Sequence, residues 1–212
     1  MKRFDLITEA DARRVPEGET VELKPGGRVT PLARDTLRAR RVVVVSDALA
    51  DGAQALRLAN DVRRLMIGAD HTGLALRDAL VRWGRSRGLR VVEEGAQGSA
   101  RVDYPDVAAA VARAVMRDEA DAGVVIDGSG VGSAMAANKV PGIRAASCSD
   151  PAIARYAREH TGANVIALGS TLVGPDEACQ ILQAWLETRI QEPRYIRRLE
   201  KLHALEREGQ AR

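Results

Sequence analysis

From residue 63 onward the sequence predicts an α/β fold: a five-stranded parallel sheet covered by helices on both faces, behind a small N-terminal extension. Three observations predict it. Short β-branched runs alternate with amphipathic segments, the pattern that strand–helix–strand units leave in a sequence. Pro105, Pro151 and Pro175 stand just before or at the start of helical segments, where a missing N–H costs nothing. The apolar run 122–127, AGVVID, opens directly into the alternating glycines Gly128, Gly130 and Gly132 and then a small-residue helix. Such alternation requires right-handed crossovers, and therefore parallel strands.

Element by element, strands are predicted at 64–69, 91–94, 122–127, 143–147 and 164–168. Helices are predicted at 74–87, 106–117, 132–138, 151–159 and 175–188. A charged helix over 193–208 carries Leu199, Leu202 and Leu205 at helical spacing, a stripe suited to packing on a neighbouring surface or subunit. Residues 1–62 form the extension and 63–212 the main domain. In the extension, 15–29 reads as a β-hairpin around KPGG. Residues 30–40 read as a helix with Thr30 as N-cap and Pro31 at its first position. Residues 41–46 are a strand candidate and 51–62 a linking helix. This piece is too small to bury much core alone and is expected to dock on the main domain or a partner.

The chain has 212 residues, 45% hydrophobic and 29% charged, with a formal net charge of +3. No apolar run is long enough to span a bilayer, and the N-terminus lacks the apolar core of a secretion signal, so the expected location is the cytoplasm, away from membranes. Cys148 and Cys179 make neither a disulfide framework nor a metal-ligand cluster. Basic and acidic residues alternate and aromatics are only 3%, which argues against nucleic acid.

Ligands of parallel sheets gather at the carboxyl ends of the strands. Those ends carry Asp70-His71, Asp127-Gly128, Ser149-Asp150 and Gly169-Ser170. The turn 128–132 lets backbone amides approach a phosphate or a developing oxyanion, with Asp127 at its lip. The competing reading is a tight strand-to-helix connection in which glycine only permits close packing. A dinucleotide site is disfavoured by the G-x-G-x-G spacing and by the absence of an acid at the ribose distance.

Five blocks carry a resemblance: IGADHTG at 67–73, VDYPD at 102–106, GSGVGSAMAANKVPGIRAA at 128–146, REHTGANVIALGS at 158–170 and PRYIRR at 193–198. In this order and spacing the chain resembles the type B ribose-5-phosphate isomerase family, which includes the subunits of galactose-6-phosphate isomerase. The resemblance implies a Rossmann-like three-layer sandwich and a homodimer or homotetramer with active sites at the subunit interface. It also implies aldose–ketose interconversion of a small phosphorylated sugar without metal or cofactor, ribose 5-phosphate being the first expectation. By the same resemblance, Asp70 and His71 contact the sugar and His160 opens its ring by proton transfer, a task suited to a group that titrates near neutrality. Arg194 and Arg198 correspond to arginines that hold the phosphate from the neighbouring subunit. The amides of 129–132 correspond to the hole for the enediolate oxygen. Asp127, His160 and Ser129 form the catalytic set. Tyr104, Gly128, Gly130, Val131, Gly132 and Asn138 join Asp70, His71 and the two arginines in the substrate-binding set. Against each stands a plainer role: a helix cap for His71, a surface helix end for His160, a solvated basic face for the arginines.

The chain also departs from the family. Many members have a catalytic cysteine where Asp127 stands, and another branch has a glutamate where Ser133 stands. The family's His-Asn-Asp is His160-Thr161-Gly162 here, and its phosphate-side histidine is Tyr195. Two readings follow: Asp127 serves as an altered catalytic base, or the chain is a non-catalytic or partner-dependent subunit. Nearby amides would weaken Asp127 as a base and burial would strengthen it. The N-terminal block, with its TPLARD core at 30–35, loosely resembles segments on enzymes of bacterial microcompartments. That resemblance implies an encapsulation element, with a shell or co-encapsulated enzymes as partners and a microcompartment lumen as location. The alternative is an accessory subdomain.

Overall fold

The computed structural model describes residues 2–46, 61–98, 100–190 and 192–210. The chain divides into two compact units, the first comprising Met1–Arg57 with Gln191–Glu200, the second Leu58–Ile190 with Lys201–Arg212. Among the described residues no helix is long and apolar enough to cross a membrane.

The first unit runs β1 (Arg3–Ile7), α1 (Glu9–Arg14), β2 (Thr20–Val29), α2 (Pro31–Ala39) and β3 (Val43–Ser46), its three strands parallel in the order β1-β2-β3. The helices start where their caps dictate. Thr8 and Asp11 form a reciprocal capping box at α1, and the Thr30 hydroxyl accepts the Ala33 N–H at α2, with Pro31 in the first turn. Ile7, Ala12, Val15, Val21, Leu23, Ala33, Leu37 and Val42 close a core of this unit's own.

No hairpin forms at 15–29, which corrects the sequence reading. Residues on both sides of KPGG pair with β1 in the same direction, Glu22 and Leu23 with Arg3 and Phe4, Arg28 and Val29 with Leu6 and Ile7. The KPGG segment is a bulge within one strand; a reversal would have required antiparallel partners. The predicted linking helix lies, over residues 51–60, outside the described residues.

The second unit runs β4 (Arg64–Ala69), α3 (Leu74–Ser86), β5 (Arg90–Gly95), α4 (Tyr104–Met116), β6 (Ala122–Asp127), α5 (Val131–Ala137), β7 (Ala145–Ser147), α6 (Pro151–Thr161), β8 (Val165–Gly169) and α7 (Pro175–Glu187). Helix α8 (Pro193–Gln210) begins in the first unit and ends in the second. All five strands are parallel, in the order β5-β4-β6-β8-β7. One face is covered by Leu76 and Leu80 of α3, Ala154 and Ala157 of α6, and Ile181, Leu182 and Trp185 of α7. The other is covered by Val111 and Val115 of α4 with Ala134 and Ala137 of α5. This is the three-layer Rossmann-like sandwich, and β6 at its centre is buried at every position.

The connection from β4 goes out to β5, and the chain then crosses back to β6 on the other side of β4. The carboxyl ends of β4 and β6 therefore flank the topological switch point, where connections diverge and leave a crevice.

Asn138, predicted to bind substrate, sits at the opposite end of α5 and clamps an edge strand. Its side chain accepts the Ala145 N–H and donates to the Ala145 carbonyl, both at 2.8 Å, blunting the free edge of β7. Asn138→Ala is expected to cost about 1 kcal/mol in denaturant unfolding, the net worth of such bonds at an exposed residue. A loss of substrate affinity with stability unchanged would instead support the predicted place of Asn138 in the binding set.

Candidate active site

Asp70 directly follows β4 and Asp127 ends β6, and the Asp70 N–H donates to the Ile126 carbonyl at 3.0 Å, so the two carboxylates share the switch point. Both are buried, at 6% and 4% exposure. Asp70 Oδ1 accepts the Thr72 N–H at 2.8 Å and the Thr72 hydroxyl at 2.6 Å. This Asx-type turn presents His71 and Thr72 on the surface.

The turn after β6 gathers its N–H groups inward, and it gathers them on Asp127. Oδ1 accepts Ser129 N–H at 2.7 Å and Gly130 N–H at 2.5 Å; Oδ2 accepts Ser133 N–H at 2.8 Å. The Val131 N–H reaches Ser129 Oγ at 3.3 Å. Burial acts most strongly on the Asp127 carboxyl and pushes its pKa up. The combined hydrogen bonds from Ser133, Gly130 and Ser129 outweigh burial and hold it below the usual carboxylate range. Two of the amides expected to face an oxyanion, those of Ser129 and Gly130, thus already face an anion, one belonging to the chain itself.

A second loop closes on this turn. Ser170 N–H donates to the Asp127 carbonyl at 2.8 Å, and the Thr171 hydroxyl donates to the Gly128 carbonyl at 2.6 Å. Gly130 has φ +75°, and a Cβ there would lie 2.9 Å from the backbone of Gly169, so only glycine fits where the two loops touch. The Tyr104 ring, half-exposed, covers Gly132: a Cβ on that glycine would lie 2.7 Å from the ring. Asp70, His71, Tyr104, Asp127 and 128–132 are therefore brought to one end of the sheet. Thr72, Ser170 and Thr171 join them and were not singled out, although Gly169-Ser170 at a strand end was the available signal.

The ribose/galactose isomerase pattern covers residues 65–202, spanning the switch point, both loops and the start of α8. The chain belongs to the ribose/galactose isomerase family. It is 41% identical over 145 residues to ribose-5-phosphate isomerase B of Escherichia coli strain K12, covering 68% of this chain and 97% of that one. It is 36% identical over 128 residues to D-erythrulose-4-phosphate isomerase of Pectobacterium atrosepticum, covering 60% and 84%. Among solved structures, ribose-5-phosphate isomerase B of Clostridium thermocellum superposes with a TM-score of 0.67 at 42% identity, covering 69% of this chain and 99% of that one.

Of the other residues in the predicted set, His160 belongs to the second unit and Arg194 and Arg198 to the first. His160 is in the last turn of α6, stacked on Tyr156 with ring centroids 5.0 Å apart. Because α6 follows the carboxyl end of β7 and precedes the amino end of β8, its last turn lies at the amino edge of the sheet. The strands put that edge roughly 15–20 Å from Asp127 within one protomer. Arg194 and Arg198, on the first turns of α8, flank one ring: their guanidinium carbons lie 4.8 and 5.7 Å from the Tyr195 centroid. Cys148 is buried, and burial pushes its thiol up to about 12, so it is inert as a nucleophile.

Proposed function

We propose that this chain interconverts a phosphorylated aldose and its ketose, ribose 5-phosphate and ribulose 5-phosphate before others, through an enediolate, in a site completed by a second copy. The observation that carries this reading is the convergence of Asp70, His71, Tyr104, Asp127 and the 128–133 turn at the switch point of a fold shared with ribose-5-phosphate isomerase B. The position of His160 at the far edge supports the two-copy site, since a single protomer does not bring it to Asp127. In this mechanism His160 of one copy opens the sugar ring, and Arg194 and Arg198 grip the phosphate through paired N–H donors. As the enediolate oxygen develops it competes for the Ser129 and Gly130 amides. Each amide that turns to substrate is lost to Asp127, whose burial then raises its basicity as the C2 proton moves to C1.

A second reading, a subunit that depends on a cysteine-bearing partner, is favoured by one observation: both Asp127 oxygens are engaged by the turn it precedes. For the N-terminal unit we retain an assembly or encapsulation role, supported by the TPLARD block on its capped helix α2.

Purified protein incubated with tetrose, pentose and hexose phosphates separates these readings. The first expects ketose formation from the chain alone, with ribose 5-phosphate the best substrate and a tetrose phosphate the next test. Turnover that appears only after a cysteine-bearing relative is added would replace it with the second. Mixing Asp127→Asn with His160→Ala, each inactive alone, is expected to restore activity, because hybrid dimers regain one intact site.

A further inference from the structure

We infer that Arg34, in the TPLARD block of the N-terminal unit, is a positioning residue for the phosphate grip: it shares Glu192 with Arg194 and so keeps Arg194 available to an anion. The inference rests on the reading of Arg194 and Arg198 as the groups that hold substrate phosphate. The geometry is local to one unit. Arg34 Nη1 lies 3.2 Å from Glu192 Oε1, while Arg194 Nε lies 2.9 Å from Glu192 Oε2, so each arginine has its own carboxylate oxygen. The Glu192 side chain is only 20% exposed, and its carbonyl accepts the Tyr195 N–H at 2.9 Å, which fixes it against the ring that both arginines flank.

Arg194 also donates from Nη2 to the Tyr195 hydroxyl at 2.9 Å. Of the five N–H donors a guanidinium carries, these two bonds use one on Nε and one on Nη2. Among the described residues no partner takes the rest, which are left for a phosphate. The ion pair with Glu192 orients the fork but also offsets its charge, and Arg34 counters that offset from the other oxygen. Without Arg34 the carboxylate attends Arg194 alone, and the net charge of Arg34, Glu192, Arg194 and Arg198 falls by one. Both changes weaken attraction for a dianion. The N-terminal unit is thereby coupled to substrate affinity through one shared acid.

Full-length protein titrated calorimetrically with inorganic phosphate, together with steady-state kinetics, tests this. Arg34→Ala is expected to weaken phosphate binding about three-fold, the scale of a half-exposed ion pair. KM should rise in step with kcat unchanged, and Arg34→Lys should recover most of the loss. In a Glu192→Gln background the same substitution should have no effect, because its route has been removed. An equal loss in both backgrounds would show that Arg34 acts only as distant charge, and overturn the inference. So would unchanged affinity, or a fall in kcat with a lowered melting temperature. Arg198→Ala serves as the control: if it too binds phosphate normally, the phosphate-grip reading itself has failed, and the inference with it.

Discussion

Asp127→Asn is expected to cut exchange of the substrate C2 proton with solvent by about 10²- to 10⁴-fold, the worth of a positioned general base. The substitution also disturbs the cap, in a direction the hydrogen bonds define. One carboxamide oxygen can still accept the Ser129 and Gly130 N–H groups, but the Ser133 N–H then meets an NH₂ group, donor against donor. That mismatch costs about 1–3 kcal/mol of stability, so melting temperature and phosphate binding must be measured beside exchange. Asp127→Cys is expected to retain or raise activity on ribose 5-phosphate, because it restores the base common in the family. Deuterium wash-in followed by NMR reads all three proteins. Equal exchange in wild type and Asp127→Asn would remove Asp127 as the base, and no exchange in wild type on any sugar phosphate would favour the partner-dependent subunit. Stability against pH reports the capping role separately. The Asp127 pKa is lower folded than unfolded, so its stabilising contribution is fully present above the unfolded value of about 3.9 and is lost as pH falls through the folded value. In Asp127→Asn that acid-side dependence should disappear.

Arg198→Ala is expected to weaken binding of substrate or inorganic phosphate by about 1.5–3 kcal/mol, the loss typical of a charge-assisted hydrogen bond. The Arg198 guanidinium is exposed and lies over the Tyr195 ring, itself only 5% exposed. Such stacking restricts the side chain and lowers the entropy cost of closing on an anion. On the proposed reading, with Tyr195 where the family resemblance implies a phosphate-side histidine, a larger share of the grip would fall to the two arginines. Calorimetry with phosphate and KM for ribose 5-phosphate should shift together, with kcat changed less. Unchanged affinity would place Arg198 on a solvated basic face.

The second unit was legible because its signals are short-range. β-branched runs bounded by proline, and Pro105, Pro151 and Pro175 in the first turns of α4, α6 and α7, marked its elements to within a few residues. In the N-terminal unit β1 and α1 went unread, since a five-residue strand with one buried position followed by a six-residue helix leaves little periodicity. KPGG carries a strong turn signal, yet whether the chain reverses after it depends on which strand lies alongside, and that strand is β1, far away along the chain.

Propensity, periodicity and capping act over a few residues, and in the second unit they sufficed for the class of fold, the order of its elements and the residues at the strand ends. What those residues do with their hydrogen bonds depended on the folded arrangement. Asp127 beside a glycine turn reads equally as a catalytic carboxylate or a cap, and the path of the turn aims three N–H groups at it. Asn138 reads as a ligand contact in the sequence, and the fold adds two hydrogen bonds to Ala145. Arg34 and Glu192, 158 residues apart, meet only in the folded chain. Each donor and acceptor is claimed by whichever partner the whole fold delivers, and that competition is settled in space, at separations local sequence does not encode.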